Sequence, residues 1–572
     1  MRILWDVGIL MDDGLMLRAD VFLPHDQGRR YPVILSYGPY AKWLHFEDGY
    51  PDQWRSMLAA FPEIAEASTN AYQAWEVCDP ERWVPEGYVC VRVDSRGCGR
   101  SPGTIDHFSA RETLDLSACI EWAAMQEWSD GKVGLSGVSY YAINQWLVAG
   151  MQPPHLAAMI PWEGCADFYR DSAYHGGIPC TFWANWYDMQ VKPVQHGRGD
   201  RGSRTRGGET VCGPETLTDE ELASNRAEFG DDIRAHPFDD AYHRERSADW
   251  SRVTVPFLSS GNWGGHGLHL RGNVEGFVQA ASEHKWLEMH GLEHWTHYYT
   301  DYGIDLQRRF FARFLKGDTD AWPDEPRVRL QVRTIDGFID RGEKAWPIPR
   351  TEWKRLYLHP EERALLDLPP SRGAVAFEAM GEGVTFLGEP FAGDTEITGP
   401  LAARLWVSSS TDDADLFLIL RLFDQAGDEV VFQGAIDPHT PLAQGWLRAS
   451  HRAINEGLST PWRPYHPHDR KEPLMPGQLY PLDIEIWPTS IVVPRGYRVA
   501  LAVRGKDYEF EGTADDVELG HFKGSKMRGV AIYTHANPKH RIPDIYGGRT
   551  SLHAGPEHLA FLLLPVIPPK EE

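Results

Sequence analysis

The stretch that decides the fold is Lys132-Val-Gly-Leu-Ser-Gly-Val-Ser139-Tyr-Tyr-Ala142. Lys132-Val-Gly-Leu135 reads as a short strand, and Tyr140 to Ala149 as a helix. A serine between a strand and a helix sits on a sharp turn with its hydroxyl exposed above the sheet. The helix start beside it favours negative charge. Gly137, two residues earlier, removes a clash in that turn, while the second glycine usual at the +2 position is replaced by Tyr141. The competing reading is a buried or capping serine. The order strand, serine, helix favours a nucleophile.

Working outward, Tyr31-Pro-Val-Ile-Leu-Ser36 and Tyr88-Val-Cys-Val-Arg-Val93 read as buried strands, and Leu114 to Trp128 has the apolar spacing of a helix. Leu156 to Pro161, Val255 to Ser259 and Lys285 to Met289 read as further strands, and Leu306 to Leu315 as a helix. Strands alternating with helices imply a parallel sheet with crossover helices. The alternation stops between Glu163 and Trp250. That region predicts an inserted helical segment with a Gly/Arg loop, His196 to Gly208, read as a solvated loop; the alternative is that its arginines, Arg198, Arg201, Arg204 and Arg206, attract an acidic ligand. Beyond about Trp322 the texture is all-β, with period-2 alternation at Leu401, Ala403, Leu405 and Val407, which suggests a sandwich or jelly roll. The expected boundaries are 1–160 and 251–322 for the two parts of the α/β domain, 161–250 for the helical cap, and 323–572 for the β domain.

The 572 residues are too many for one ordinary core. The 57 basic and 82 acidic residues give a net charge of −25, which argues against nucleic acid or an anionic membrane surface as partner. No apolar run approaches the ~20 residues of a membrane span, and Met1 to Pro24 carries too many charges for a secretory signal, so a cytoplasmic protein is expected. Seven cysteines, odd in number and without a CxxC pair, argue against a disulfide framework or a thiolate zinc site.

A serine nucleophile needs a base, placed after the last core strand in this kind of sheet. His294, in the turn His290-Gly-Leu-Glu-His294 after the strand ending at Met289, fits; His290 is the nearest rival. The oxyanion needs two donors. The backbone N–H of Tyr140 is one. The loop Tyr37-Gly-Pro-Tyr40 lacks a glycine run, so the Tyr40 hydroxyl is the other. His290-Gly-Leu-Glu-His294 also matches H-x-x-E-H, a zinc protease pattern, but that pattern needs both histidines on one helix face, and the segment reads as a turn. No metal and no cofactor are expected.

The chain resembles the cocaine esterase and X-Pro dipeptidyl-peptidase family of serine hydrolases. The likeness is carried by Asp13-Gly-Leu-Met-Leu-Arg-Ala-Asp20, Gly38-Pro-Tyr40, Gly87 to Ser101, Trp128 to Tyr140, Glu396-Ile-Thr-Gly-Pro400 and Gly445-Trp-Leu-Arg-Ala-Ser450, and spans nearly the whole chain. It implies an α/β-hydrolase domain with an inserted helical cap, followed by an all-β jelly roll. Ser139, His294 and Tyr40 fall on the family's nucleophile, base and oxyanion-tyrosine positions. Two places depart from the pattern. Ala142 stands where the family has glycine, and the usual acid after the strand preceding the histidine falls on Gly264, within Gly261-Asn-Trp-Gly-Gly-His266.

A triad histidine without a carboxylate loses tautomer control, at a cost of roughly 10⁴ in rate. The strand Leu156 to Pro161 should lie beside the nucleophile strand, and Glu163 at its carboxyl end is the expected replacement; Glu275, Asp167 and Glu293 are rivals. Trp43, Trp162, Trp183, Trp186 and Tyr187 are expected around a bulky apolar acyl group. The predicted function is hydrolysis of small-molecule carboxylic esters through an acyl-enzyme. The alternative is amide or peptide hydrolysis of the X-Pro type, with cap carboxylates such as Asp167, Asp171 and Asp188 near a substrate amine. A further alternative is a catalytically impaired binding protein. Homo-oligomerisation is left open.

Overall fold

The computed structural model describes residues 1–513 and 527–569. Its first part contains twelve strands: β1 (Arg2–Leu10), β2 (Met16–Leu23), β3 (Tyr31–Gly38), β4 (Val89–Asp94), β5 (Ser129–Val138), β6 (Leu156–Trp162), β7 (Tyr174–His175), β8 (Ile178–Pro179), β9 (Phe257–Asn262), β10 (Lys285–His290), β11 (Val328–Arg333) and β12 (Phe338–Glu343). β7 and β8 form a separate hairpin. The others form one sheet in the order β1-β2-β4-β3-β5-β6-β9-β10-β11-β12, parallel from β4 to β11 and antiparallel at both edges. Parallel strands are covered on both faces, so they read as continuous apolar runs; β3, β4 and β9 are buried along their whole length.

Helices Ala110–Ala124, Tyr140–Met151, Leu270–Gln279 and Asp301–Leu315 pack on the sheet. Ser109 and Thr300 cap two of them, each side chain accepting an N–H of the first turn. Strand register aligns the carboxyl ends: Gly38 faces Asp94, Val138 faces Trp162, and Asn262 faces His290. Ligands of such sheets bind beyond that edge, and Tyr40, Ser139, Glu163 and His294 all lie just past it.

Between β6 and β9 the chain leaves the sheet as the β7–β8 hairpin and four short helices, Phe182–Trp186, Asp219–Ser224, Phe229–Ala235 and Ala241–Glu245. The Gly/Arg loop is laced by ion pairs of Arg201 with Asp219, Arg204 with Asp200, and Arg206 with Glu47 and Asp48. Those arginines already have acidic partners within the chain.

The texture after Trp322 is β as expected, but β11 and β12 still belong to the first sheet: β11 adds in parallel to β10 through Leu287 opposite Val328, and β12 folds back on it. Alternation alone cannot tell which sheet a strand joins. The second sheet starts with Glu352–His359 and closes on itself, because Phe561–Ile567 pairs both with Glu352–His359 and with Thr395–Ser409. Its core is aliphatic, including Leu405, Leu418, Ile484, Leu501 and Leu562. Ile178, Trp263, Leu270, Phe417, Trp446 and Trp487 join one apolar cluster that binds the cap hairpin, the end of β9 and the β domain. Among the described residues, no helix is long and apolar enough to cross a membrane.

Candidate active site

Ser139 lies between β5 and the helix Tyr140–Met151 with φ 58° and ψ −113°. That backbone is strained for a residue with a Cβ and costs about 1–3 kcal/mol. The neighbourhood is cut to fit it. A Cβ at Gly137 would lie 2.4 Å from the Cβ of Tyr141, so only glycine tolerates the turn. Gly38 makes room for the Tyr141 ring, which a Cβ there would meet at 2.6 Å. Gly164 makes room for Ala142, whose Cβ would be 2.6 Å away. Tyr141 and Ala142, which stand where glycines are usual, are thus answered by glycines on β3 and after β6. Ser139 is half-buried, and its hydroxyl is not sealed in the core.

The Ser139 N–H bonds the carbonyls of Trp162 and Glu163, both at 3.1 Å, which ties the nucleophile turn to the end of β6. The Glu163 side chain then spans two histidines. His294 Nδ1 donates to Oε2 at 2.7 Å, and His290 Nε2 donates to Oε1 at 2.8 Å. Asn262 Nδ2 also donates to Oε1, at 3.2 Å. Burial would raise the Glu163 carboxyl, but His294 and His290 outweigh it and hold the group far below the usual carboxylate range. His290 Nδ1 is taken by Glu288 at 2.8 Å, so His290 is closed off at both nitrogens and does not face Ser139.

The usual acid position is physically filled. A Cβ at Gly264 would lie 2.3 Å from Gly434 Cα, because the backbone of the β domain runs directly over it. Ala435 N–H bonds the Gly264 carbonyl at 3.2 Å, and the Ala435 carbonyl accepts from His294 N–H at 2.8 Å. Of the rival acids, Asp167 pairs with Arg170, Glu275 with Arg463, and Glu293 accepts from Thr296.

Two residues not predicted as members complete the site. Glu76, buried and at φ 62°, holds the nucleophile strand through its carbonyl, which accepts from Val138 N–H at 2.9 Å. Its Oε1 accepts from His294 Nε2 at 3.1 Å. Burial raises the Glu76 carboxyl to about 7. Burial pulls His294 down, but Glu163 and Glu76 together overcome it and push the imidazole up to about 10. At neutral pH the ring is therefore held as a cation by the ionised Glu163, with Glu76, which titrates near neutrality, on its other nitrogen.

The second is His269, whose Nε2 lies 3.1 Å from Ser139 Oγ. Its Nδ1 accepts from the Cys165 N–H at 3.1 Å. A ring nitrogen that accepts a backbone N–H carries no proton, so the proton is on Nε2 and His269 donates to Ser139. Burial and the His294 charge hold it neutral. In this tautomer it cannot take the serine proton. Its ring stacks on that of His294, with centroids 5.2 Å apart. Among the described residues, Ser139 Oγ has no other side-chain partner, so the hydrogen bond expected with His294 is not formed in this resting arrangement: Glu76 holds the His294 nitrogen instead. The signal for His269 was the histidine pair His266-Gly-Leu-His269; nothing local marks Glu76.

Tyr40 Oη accepts from Trp186 Nε1 at 3.1 Å, which leaves its own O–H with no acceptor among the described residues. Burial keeps the phenol protonated. The N–H of Tyr140, in the first helical turn, has no intrahelical partner. Trp183, Trp186 and Tyr187 form a buried aromatic layer over Tyr140, with Trp186 stacked on it. Trp162 is fully buried and stacks on His290, so it backs the acid. Trp43 bonds Asp20 and lines a separate cleft of about 410 Å³ whose lining does not include Ser139.

A strained serine at a strand–helix turn, a histidine backed by a carboxylate, and a capped parallel sheet define a serine hydrolase of the α/β-hydrolase fold. The chain belongs to the X-Pro dipeptidyl-peptidase (S15) family. The family model matches residues 13–299, and the X-Pro dipeptidyl-peptidase C-terminal non-catalytic domain matches residues 320–515. A CocE/NonD family hydrolase from Staphylococcus aureus superposes with a TM-score of 0.83 at 32% identity, covering 99% of this chain and 94% of that one. The cocaine esterase of Rhodococcus sp. (strain MB1 Bresler) is 24% identical over 631 residues, covering 98% of each chain. An α-amino acid ester hydrolase shares the fold at 16% identity, with a TM-score of 0.66.

Proposed function

We propose that the protein hydrolyses carboxylic esters of small molecules through an acyl-serine intermediate. The observation that carries this reading is the double hold of Glu163: its carbonyl fixes the Ser139 N–H and its carboxylate fixes His294 Nδ1. His294 releases its Nε2 proton through the Glu76 carboxylate to solvent, and the bare Nε2 turns to Ser139. The Ser139 oxygen then attacks the ester carbonyl while Nε2 takes its proton. Tyr40 O–H and the Tyr140 N–H receive the oxyanion, and the proton passes from Nε2 to the leaving alcohol. Water, deprotonated by the same nitrogen, releases the acid and restores the serine. His269 Nε2–H orients Oγ throughout.

The test is fluorophosphonate labelling, followed by turnover of a nitrophenyl ester series beside proline dipeptide amides. Labelling should vanish in Ser139→Ala, with ester turnover falling about 10⁶-fold. Folded protein that neither labels nor turns over an ester would instead favour a binding protein.

A second reading, cleavage of amino-acid esters or amides, is favoured by Glu76. The cap carboxylates Asp167, Asp171 and Asp188 are paired with Arg170, Arg271 and Lys192. Glu76 stands beside the nucleophile turn and can meet a substrate ammonium. Faster turnover of the proline amides than of the esters would select this reading. We place the enzyme in the cytoplasm, a reading supported by seven unpaired, buried cysteines.

A further inference from the structure

Away from the serine, His175, Cys180 and His535 form a second cluster. Among the described residues it is the one grouping of His, Cys, Asp or Glu donors close enough to share an ion: its donor atoms lie within 4.8 Å of one another, and all three side chains are buried. His175 ends β7, Cys180 follows β8, and His535 comes from the β domain. The frame is tied by backbone. Thr181 N–H bonds the Thr534 carbonyl at 2.8 Å, the two threonine hydroxyls meet at 2.7 Å, and Cys180 N–H bonds the Ala173 carbonyl at 3.0 Å.

The partners of the two rings fix their tautomers. His175 Nε2 lies 3.1 Å from the Asp171 carbonyl oxygen, which can only accept, so that nitrogen carries the proton. His535 Nδ1 donates to Asp507 Oδ1 at 2.7 Å, while Asp507 Oδ2 accepts the His535 N–H at 2.7 Å. The remaining nitrogens, His175 Nδ1 and His535 Nε2, lie 2.8 Å apart, and with both rings neutral in these tautomers they face each other as lone pairs. Two acceptors at that distance repel unless a cation lies on them. A ring whose outer N–H is held by a carbonyl or a carboxylate is how metal-ligating histidines are oriented.

We propose that His175 Nδ1, His535 Nε2 and Cys180 Sγ bind a divalent zinc-type ion that staples the cap hairpin to the β domain. Two imidazoles and a thiolate suit Zn²⁺. Access is available, since a surface cleft of about 420 Å³ is lined by Cys180, Thr181 and Thr534. The role is structural. The hairpin turn inserts against β-domain backbone, where a Cβ at Gly176 would lie 2.1 Å from the Trp446 carbonyl oxygen. The site also adjoins the turn that carries His269, since a Cβ at Gly267 would lie 3.5 Å from the His175 ring and 3.0 Å from Tyr533.

The test uses the full chain, stripped with chelator and titrated with Co²⁺ alone and then Zn²⁺ alone. One ion per chain is expected, with a near-ultraviolet thiolate-to-cobalt absorption and a raised melting temperature. Cys180→Ser should lose the absorption. Asp507→Asn, which loosens the His535 ring, should bind about 10–100-fold more weakly. His535→Ala should bind no ion. Wild-type chain that takes up no more Co²⁺ or Zn²⁺ than His535→Ala, or that binds Co²⁺ without the thiolate band, overturns the proposal. A proton shared by the two rings then explains the contact. Should His535→Ala fail to fold, the wild-type titration and the Cys180→Ser spectrum decide alone.

Discussion

The ends of β6 and β9 sit side by side at the same edge of the sheet, yet only one carries an acid. After β6 the chain turns at Glu163, with φ 48°, and sends a carboxylate to His294. After β9, Gly264 lies under the backbone of Gly434 and has no room for any side chain. The difference teaches that the triad acid is set by reach and space at the sheet edge. Strand number does not fix it. The β9 end, with no carboxylate, contributes a neutral donor, His269, to the serine.

The comparison can be broken or sharpened by substitution. Glu163→Gln should have the largest effect, lowering kcat by about 10⁴. Adding Gly264→Asp to Glu163→Ala should give no rescue and a lower melting temperature, because the new side chain meets Gly434. Recovery of ester turnover in that double variant would show that the β9 end can still supply the acid. Tyr40→Phe should cost about 10²–10³ in kcat by removing an oxyanion donor, and a wild-type rate would remove Tyr40 from the reaction. His269→Phe keeps the ring against His294 but loses the donor to Ser139; roughly a tenfold loss in kcat/KM is expected. An unchanged value there would leave His269 without a part in orienting the hydroxyl.

The smallest change in peak activity is expected for Glu76→Gln, whose main effect is on pH. The base must be neutral, and two carboxylates hold His294 charged up to about 10. Activity should therefore rise with pH, with a midpoint well above that of a free histidine. Removing the Glu76 charge favours the neutral ring, so the midpoint should move to lower pH by about one unit or more. A pH–kcat/KM profile checks this, and an unmoved midpoint would separate Glu76 from the titration of His294.

Much of this was legible from local pattern. Buried parallel strands announce themselves as apolar runs, and Ser139 by its place between strand and helix. Glu163 followed from strand adjacency once Gly264 was seen to lack a carboxylate. What stayed hidden depends on distant contacts. Glu76 meets His294 across 218 positions of sequence, and His269 meets Ser139 across 130. His269 was visible as one of a histidine pair, but its role rests on which atom approaches Nδ1, a matter of backbone placement. The β11–β12 pair read as part of the β domain because strand periodicity carries no information about which sheet a strand joins.

The contact between Ala435 and the turn bearing His294 has a consequence for modularity. A segment of the so-called non-catalytic half packs directly on the catalytic turn, and it supports the very peptide unit that carries the base. The two halves are therefore not interchangeable parts. A truncated α/β half, or a chimera with a foreign β half, would inherit the nucleophile but lose the scaffold that aims its histidine.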